Sequence, residues 1–334
     1  MNENDVRIGL IGIGQIGKTH VISAQNLSNT CFIAVYHPNS DRGFQFAKEY
    51  NIKKSFSDLK SFFSDSEIKA VDICTPTHTH FDFIKKCLEN DKHVLVEKPI
   101  TRTLEEFDLM MDLLKKHNQR LMVAQYCRFI PEYQTAKKIL SEKKIGTPIC
   151  VRAYRRVKAP TYKDWFFDEK KSGGIILDLM IHDIDAVLWV LDDKVEYIHA
   201  ITHNFNLPYK TPDHATVILK FKKGTIATIS GSWILPDNFF TPSQLDTTLE
   251  IFGDSGAIEI CDRNDSFMRV FTPDEGLKLT KPDPLRVYRS EISHFSDCIL
   301  KNKPFKVDLN SVRNSLEICL LALESYKTKT PIHL

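Results

Sequence analysis

Apolar residues fall along this chain in two rhythms. In the first part they come as short, nearly unbroken runs: Val6-Arg7-Ile8-Gly9-Leu10-Ile11, Cys31 to Tyr36, Ala70 to Cys74, Val94 to Val96 and Leu121 to Gln125. Continuous runs of this length suit strands buried on both faces of a parallel sheet. Between them lie segments read as helices: Gln15 to about Leu27, Phe44 to Tyr50, a segment ending near Asn90, and Leu104 to His117. Strands alternating with helices predict a doubly wound, mostly parallel sheet. One more helix is predicted from Pro131 to Ser141.

From about Thr147 the rhythm changes to a period of two. Pro148 to Lys158, His199 to Asn206, His214 to Phe221, Thr225 to Trp233, Thr247 to Phe252 and Ala257 to Cys261 read as strands in series. Alternating polar and apolar positions suit a large, mostly antiparallel sheet with one open face. Glu291 to Leu300 and Asn310 to Tyr326 read as helices, the last expected to return to the first domain. The fold class expected is therefore α/β followed by α+β. Residues 1–126 form a Rossmann-type dinucleotide-binding domain, and 127–334 a domain for substrate and for self-association.

Three motifs carry chemistry. Gly12-Ile13-Gly14-Gln15-Ile16-Gly17 stands where the first strand hands over to the first helix, the context that a G-x-G-x-x-G fingerprint requires. Gly12 permits the tight turn, Gly14 lets the backbone approach a pyrophosphate, and Gly17 lets helix and strand pack closely. The amides at the helix start would then face the phosphates. The second motif is His93-Val94-Leu95-Val96-Glu97-Lys98-Pro99. It sets Lys98 at the carboxyl edge of the sheet, where open α/β sheets bind ligands, and Pro99 restricts the lysine backbone. The third is Gly173-Gly174-Ile175-Ile176-Leu177-Asp178-Leu179-Met180-Ile181-His182. Read as one helix, it puts Asp178 and His182 on a common face.

In this order and spacing the three motifs resemble those of the Gfo/Idh/MocA oxidoreductases, over nearly the whole chain. Inositol dehydrogenases look like the nearest characterised relatives. The resemblance implies a nicotinamide-dependent dehydrogenase acting on a secondary hydroxyl of a sugar, cyclitol or sugar derivative. It also implies a homodimer or homotetramer formed through the second sheet. His182 is then the expected base, since imidazole takes a proton near neutral pH. Asp178 would bind a neighbouring hydroxyl or steady the imidazolium, and Lys98 would hold the reacting oxygen. Glu97 and the segment Cys74, Thr75, Pro76 and Thr77, with His80, are expected beside the cofactor. Arg128 matches a family position that reaches the substrate, although an ion pair between the domains explains it equally well.

Two departures bear on specificity. An acid that holds the ribose 2′-hydroxyl of NAD is usual about 20 residues after the fingerprint. Here that position is His37, with Asn39 and Arg42 close behind, so NAD and NADP both stay open. In the strand after Thr147, period two places Arg152, Tyr154, Arg156 and Lys158 on one face. Tyr154 and Arg156 stand where an inositol dehydrogenase would present a histidine and an asparagine. Arginine pairs with carboxylate or phosphate, which suggests an anionic substrate such as a uronate or nucleotide sugar. The aromatic segment Pro160 to Phe167, with Tyr162 and Trp165, is a candidate to close over a sugar ring.

Composition narrows the classes. Of 334 residues, 42% are hydrophobic and 26% charged, and a net charge of +2 gives no reason to expect nucleic acid. The eight cysteines show no C-x-x-C pair and read as reduced thiols, which suits a cytoplasmic protein. Met1 to Asp5 is too polar to open a secretory signal, and no apolar run reaches membrane-spanning length. No metal is expected, since His78 and His80 lack a third ligand at suitable spacing. Two other readings stay open: a cofactor-binding sensor without chemistry, and a reductase of a keto-sugar.

Overall fold

The structure, a computed structural model, describes residues 5–334 except 162, 206–210, 236–244, 262–265, 273–275 and 281–283. Tyr162 and Asn206 lie outside the described residues. The chain forms two compact units: Met1–Phe129 with Asp283–Val312, and Ile130–Pro282 with Arg313–Leu334.

In the first unit, β1 (Val6–Ile11), α1 (Gln15–Ala24), β2 (Thr30–Tyr36), α2 (Ser40–Glu49), β3 (Lys54–Phe56), α3 (Leu59–Ser64), β4 (Ala70–Ile73), α4 (His80–Glu89), β5 (His93–Glu97), α5 (Leu104–Leu114) and β6 (Leu121–Ala124) follow in turn. The strands form a six-stranded parallel sheet in the order β3-β2-β1-β4-β5-β6. Its middle is dry: Ile8, Leu10, Val71, Ile73, Val94, Leu95 and Val96 have no exposed surface. Each such side chain contributes about 1.5–3 kcal/mol on burial, which is why these runs lack alternation. The helices start on polar caps. Asn39 Oδ1 accepts from the Arg42 amide, Asp58 from Ser61, and Thr103 Oγ1 from Glu106. The short β3 and α3 escape the pattern reading, because neither is long enough to show a period.

The second unit contains α6 (Pro131–Ser141), β7 (Pro148–Val157), the short helices α7 (Glu169–Ser172) and α8 (Gly174–Asp178), and α9 (Ile181–Leu191). Next come β8 (Val195–His203), β9 (His214–Phe221), β10 (Ile226–Ser232), β11 (Leu245–Gly253), β12 (Ala257–Cys261), β13 (Ser266–Phe271) and β14 (Gly276–Thr280). The chain closes with α10 (Pro284–Leu300), α11 (Leu309–Thr328) and β15 (Ile332–His333). Nine strands make one sheet in the order β14-β13-β12-β11-β7-β10-β9-β8-β15. All its pairings are antiparallel except β7 with β10. Along β7, Val151, Ala153 and Arg155 are buried, while Arg152 is exposed and Tyr154 and Arg156 are half-buried. This is the period-two pattern of a sheet covered on one face.

The helix that returns to the first unit is α10, and α11 belongs to the second unit from Arg313 onward. The first unit uses α10 as a cover: Tyr288 stacks on Tyr126 at 5.8 Å and Asn29 Nδ2 donates to Asp297 Oδ1 at 2.9 Å.

Candidate active site

The first unit gathers its functional residues at the carboxyl ends of β1, β4 and β5. Gly12 follows β1 with φ +106°, and a Cβ there would stand 2.4 Å from the Cys74 carbonyl oxygen. A Cβ on Gly17 would stand 2.0 Å from the Gly12 carbonyl oxygen. Only glycine lets these three backbone segments meet. Gly14 caps α1 without a side-chain hydrogen bond, and the first turn holds no acidic residue. The amides at the start of α1 therefore have no side chain competing for them, and Ile13, Gln15 and Ile16 leave the turn partly open. A dinucleotide pyrophosphate fits such a turn. Thr75 and Pro76 border it at the end of β4, and Thr77 is buried.

Beyond β2, the Asn39 amide donates to His37 Nδ1 at 3.0 Å, and Asn39 Oδ1 is committed to capping α2. Asp41 and Arg42 both lie in the first turn of that helix, so the segment after β2 has His37 where an acid is usual and carries one acid beside one cation further on.

Lys98 follows β5, and its bond to Pro99 is cis. The Lys98 amide donates to Glu97 Oε2 at 3.1 Å. Glu97 also reaches inward, with Oε1 3.4 Å from His20 Nε2. Its carboxylate therefore engages a buried imidazole and the backbone beside it.

Two further expected site residues are buried. His80 has Nδ1 2.8 Å from the Pro99 carbonyl oxygen and Nε2 2.8 Å from that of Thr75. It braces the β4 loop against the lysine loop. Burial holds its pKa below the ordinary imidazole value, against the pull of both carbonyls. Arg128 is 1% exposed and donates to Ser311 Oγ at 2.8 Å within the same unit. Burial would raise the nearby Asp308 carboxyl, but hydrogen bonds from Ser311, with a smaller contribution from the Arg128 charge, hold it below its ordinary value. Arg128 is anchored within the first unit.

The second unit carries Asp178 and His182, but not on one helix. Gly173 and Gly174 have φ of +81° and +68°, which starts α8 abruptly. α8 then ends at Asp178, and the Met180 amide donates to the Ile175 carbonyl at 3.0 Å, five residues back. This wide turn separates Asp178 from α9, so the shared-face argument from i,i+4 spacing does not apply. Asp178 is buried and His182 half-buried.

What fixes α9 is a pair that pattern reading passes over. Arg155 Nε donates to Asp183 Oδ2 at 2.8 Å and Nη2 to Oδ1 at 3.1 Å, with both side chains 3% exposed. The bidentate pair pins the residue after His182 to β7. One turn on, Asp185 Oδ1 accepts from Ser315 Oγ at 2.7 Å.

Because Arg155 faces α9, its neighbours Tyr154 and Arg156 face the other way. The Arg156 guanidinium pairs with Asp246 on β11 and lies 4.9 Å from the Tyr154 ring centroid. The arginine thus has an acid of its own sheet, and its side chain stays 40% exposed. Trp165 stacks on Phe166 at 4.0 Å, which commits one ring face to packing.

The buried groups of the first unit also escaped the sequence reading. His20 lies in the fingerprint helix and Asp72 within the apolar run Ala70-Val71-Asp72-Ile73. An aspartate inside a continuous apolar strand must find a partner, and that was the available signal.

Comparison with known proteins agrees with this geometry. Residues 6–125 match the model of the oxidoreductase family with an NAD-binding Rossmann fold, and 133–259 match the GFO/IDH/MocA C-terminal domain. The chain is 29% identical to scyllo-inositol 2-dehydrogenase (NAD(+)) of Bacillus subtilis, covering 99% of this chain and 97% of that one. It is 26% identical to UDP-N-acetylglucosamine 3-dehydrogenase of Acidithiobacillus ferrooxidans, covering 96% and 98%. A solved levoglucosan dehydrogenase in complex with NADH and levoglucosan superimposes with a TM-score of 0.88 at 21% identity, covering 99% of each chain, a likeness of fold. Among the described residues no helix is long and apolar enough to cross a membrane. With a fingerprint turn that only glycines can build, a lysine at the sheet edge beside it and both domain models matched, the chain belongs to the Gfo/Idh/MocA family of oxidoreductases.

Proposed function

We propose that the protein is an NAD(P)-dependent dehydrogenase that oxidises a secondary hydroxyl of a sugar or cyclitol. The observation that carries this is the convergence of the Gly12 turn, the Cys74–Thr77 loop and Lys98 at the ends of neighbouring strands in one unit. The relatives named for inositol, levoglucosan and a nucleotide sugar supply the substrate class.

The bound nicotinamide supplies the hydride acceptor. The Lys98 ammonium holds the reacting oxygen and favours its anionic character. His182 takes the hydroxyl proton on a ring nitrogen, and the Arg155–Asp183 pair keeps its helix in place. Asp178 binds a neighbouring hydroxyl or steadies the imidazolium. Because Arg156 is paired within its own sheet, neutral polyols are the favoured substrates. His37 in place of the usual acid, with Arg42 following beside Asp41, supports use of NADP as well as NAD.

The open face of the second sheet serves self-association. Ile201, Ile226, Phe252 and Phe271 are 40–61% exposed on it, which favours a second copy of the chain over solvent. Light scattering of the purified protein would give a dimer or tetramer; a monomer at micromolar concentration would refute this part.

The test of the activity is reduction of NAD and NADP, followed at the nicotinamide absorbance, with inositols, free sugars, uronates and UDP-sugars. Turnover of a neutral polyol is expected. Tight cofactor binding with no turnover across the panel would favour the sensor reading.

A further inference from the structure

Beneath the fingerprint turn, the first unit buries a cluster of ionisable groups that the reaction does not touch. His20 of α1 has no exposed side-chain surface, and neither does Asp72. His20 Nδ1 lies 2.8 Å from Asp72 Oδ2. On the other side of the ring, Nε2 lies 3.4 Å from Glu97 Oε1, an ion-pair contact rather than an aligned hydrogen bond. Cys74 Sγ donates to Asp72 Oδ1 at 3.4 Å. From α10, the Tyr288 ring lies 5.6 Å from the His20 ring, and Glu291 is buried with no hydrogen-bond partner on either carboxyl oxygen among the described residues.

A neutral imidazole carries one N–H and one lone pair. Set between two carboxylates, it would present its lone pair to one of them. Only the doubly protonated ring faces both favourably. Burial works against that charge, yet Asp72, by its charge and its hydrogen bond, outweighs it and holds the ring's pKa well above the ordinary value. The Glu291 carboxyl is raised as well: burial first, then Glu97 and Asp72, push it well above the ordinary range against the pull of His20. Burial also pushes the Cys74 thiol and the Tyr288 hydroxyl up, which keeps both neutral.

The three donor atoms of His20, Asp72 and Cys74 lie close enough together to suggest a metal site. The 2.8 Å separation of His20 Nδ1 and Asp72 Oδ2 argues otherwise. Ligands at about 2.0–2.1 Å around a tetrahedral metal stand roughly 3.3 Å apart, whereas 2.8 Å is the distance of a charge-assisted hydrogen bond.

Glu97 is where this cluster meets the reaction. One oxygen faces His20 and the other accepts the Lys98 amide. We propose that His20 is a positioning residue: held as an imidazolium between Asp72 and Glu97, it fixes the carboxylate that in turn fixes the backbone of Lys98. The effect on turnover rests on the role of Lys98 given above; the charge state of His20 does not.

The experiment has two arms. In the first, the full chain is labelled with carbon-13 at histidine Cε1, and the His20 resonance is assigned as the one lost in His20→Gln, or by elimination among the other histidine variants if that protein does not fold. Wild-type His20 should keep an imidazolium shift from pH 6 to 9, and in Glu97→Gln it should titrate at lower pH. A neutral ring at pH 7, or a titration unmoved by Glu97→Gln, would overturn the proposal. The second arm measures kcat and the KM for NAD in His20→Gln, Glu97→Gln and the double variant. Each single change should lower kcat by up to about 10²-fold, the scale of a small misplacement, with the KM for NAD little altered. The double variant should be no slower than the worse single one, since both act along one chain. Additive losses, or loss of thermal stability at unchanged kcat, would leave His20 a core residue only. If the wild type turns over no substrate, the activity reading fails while the carbon-13 arm still decides the clamp.

Discussion

The two units bury charge in opposite ways. In the second, Arg155 and Asp183 meet as a closed bidentate pair between a strand and a helix, each acidic oxygen matched by one N–H. In the first, His20 serves two carboxylates, and a third carboxyl, Glu291, lies buried without a hydrogen-bond partner among the described residues. The pair has the geometry of a rivet: it orients α9 by two parallel hydrogen bonds. The first cluster carries more acid than base and settles its balance by keeping protons. One unit therefore holds its site by matching charges, the other by a proton inventory that responds to pH.

The comparison is broken most strongly at the residues that each device supports. Lys98→Ala should lower kcat by about 10²–10³-fold, the scale of losing one stabiliser of a developing anion, with the Kd for NAD within a few-fold of wild type by fluorescence titration. His182→Ala should cost about 10²–10⁴-fold, and its pH–rate profile should lack the limb that falls below about pH 6.5. A retained limb would assign the base elsewhere.

The rivet itself comes next. Asp183→Ala strands the Arg155 guanidinium in the core and should cost about 3–5 kcal/mol in urea unfolding. Replacing both partners by apolar residues of similar volume, as in Arg155→Met with Asp183→Leu, should recover most of that loss. Failure of the double variant to recover stability would mean that the pair is not self-contained.

The proton inventory gives a smaller, signed effect. Glu291 has its pKa raised from an ordinary value of 4.5, so the folded chain keeps a proton that the unfolded chain releases above that pH. Folded protein then binds more protons than unfolded protein, and stability falls as pH rises. His20, raised from 6.5, acts in the same direction above that pH. Glu291→Gln keeps the shape and removes the titration. Its melting temperature should therefore gain on wild type as pH rises from 5.5 to 8.5. A constant offset across that range would show that Glu291 is not held protonated.

The smallest effect is expected at Arg156. Its side chain is 40% exposed and pairs with Asp246 on the sheet face that points away from α9. Arg156→Ala should change kcat/KM equally for charged and neutral substrates. Selective loss on uronates or UDP-sugars would return it to substrate recognition.

Much of this molecule was legible in the order of its residues. Unbroken apolar runs, a fingerprint between strand and helix, and the later change to period two depend on local backbone geometry, which neighbouring residues set. They fixed the parallel first sheet, the open second sheet and the positions of Gly12, Gly14, Gly17 and Lys98. Tertiary contacts decided the rest. Arg128 and Arg156 look alike in sequence to any arginine that reaches a substrate; the proximity of Ser311 and Asp246, distant along the chain, gives them other partners. Asp178 and His182 sit at helical spacing, and a hydrogen bond to Ile175 five residues back divides their helix. His20, Asp72, Glu97 and Glu291 are scattered over some 270 positions, and only the folding of α1, β4, β5 and α10 together makes one cluster of them. The sequence by itself determined which backbone could form, because backbone preference is local. What each charged side chain does was decided by the fold, because charge acts through space and its cost depends on what else is buried beside it.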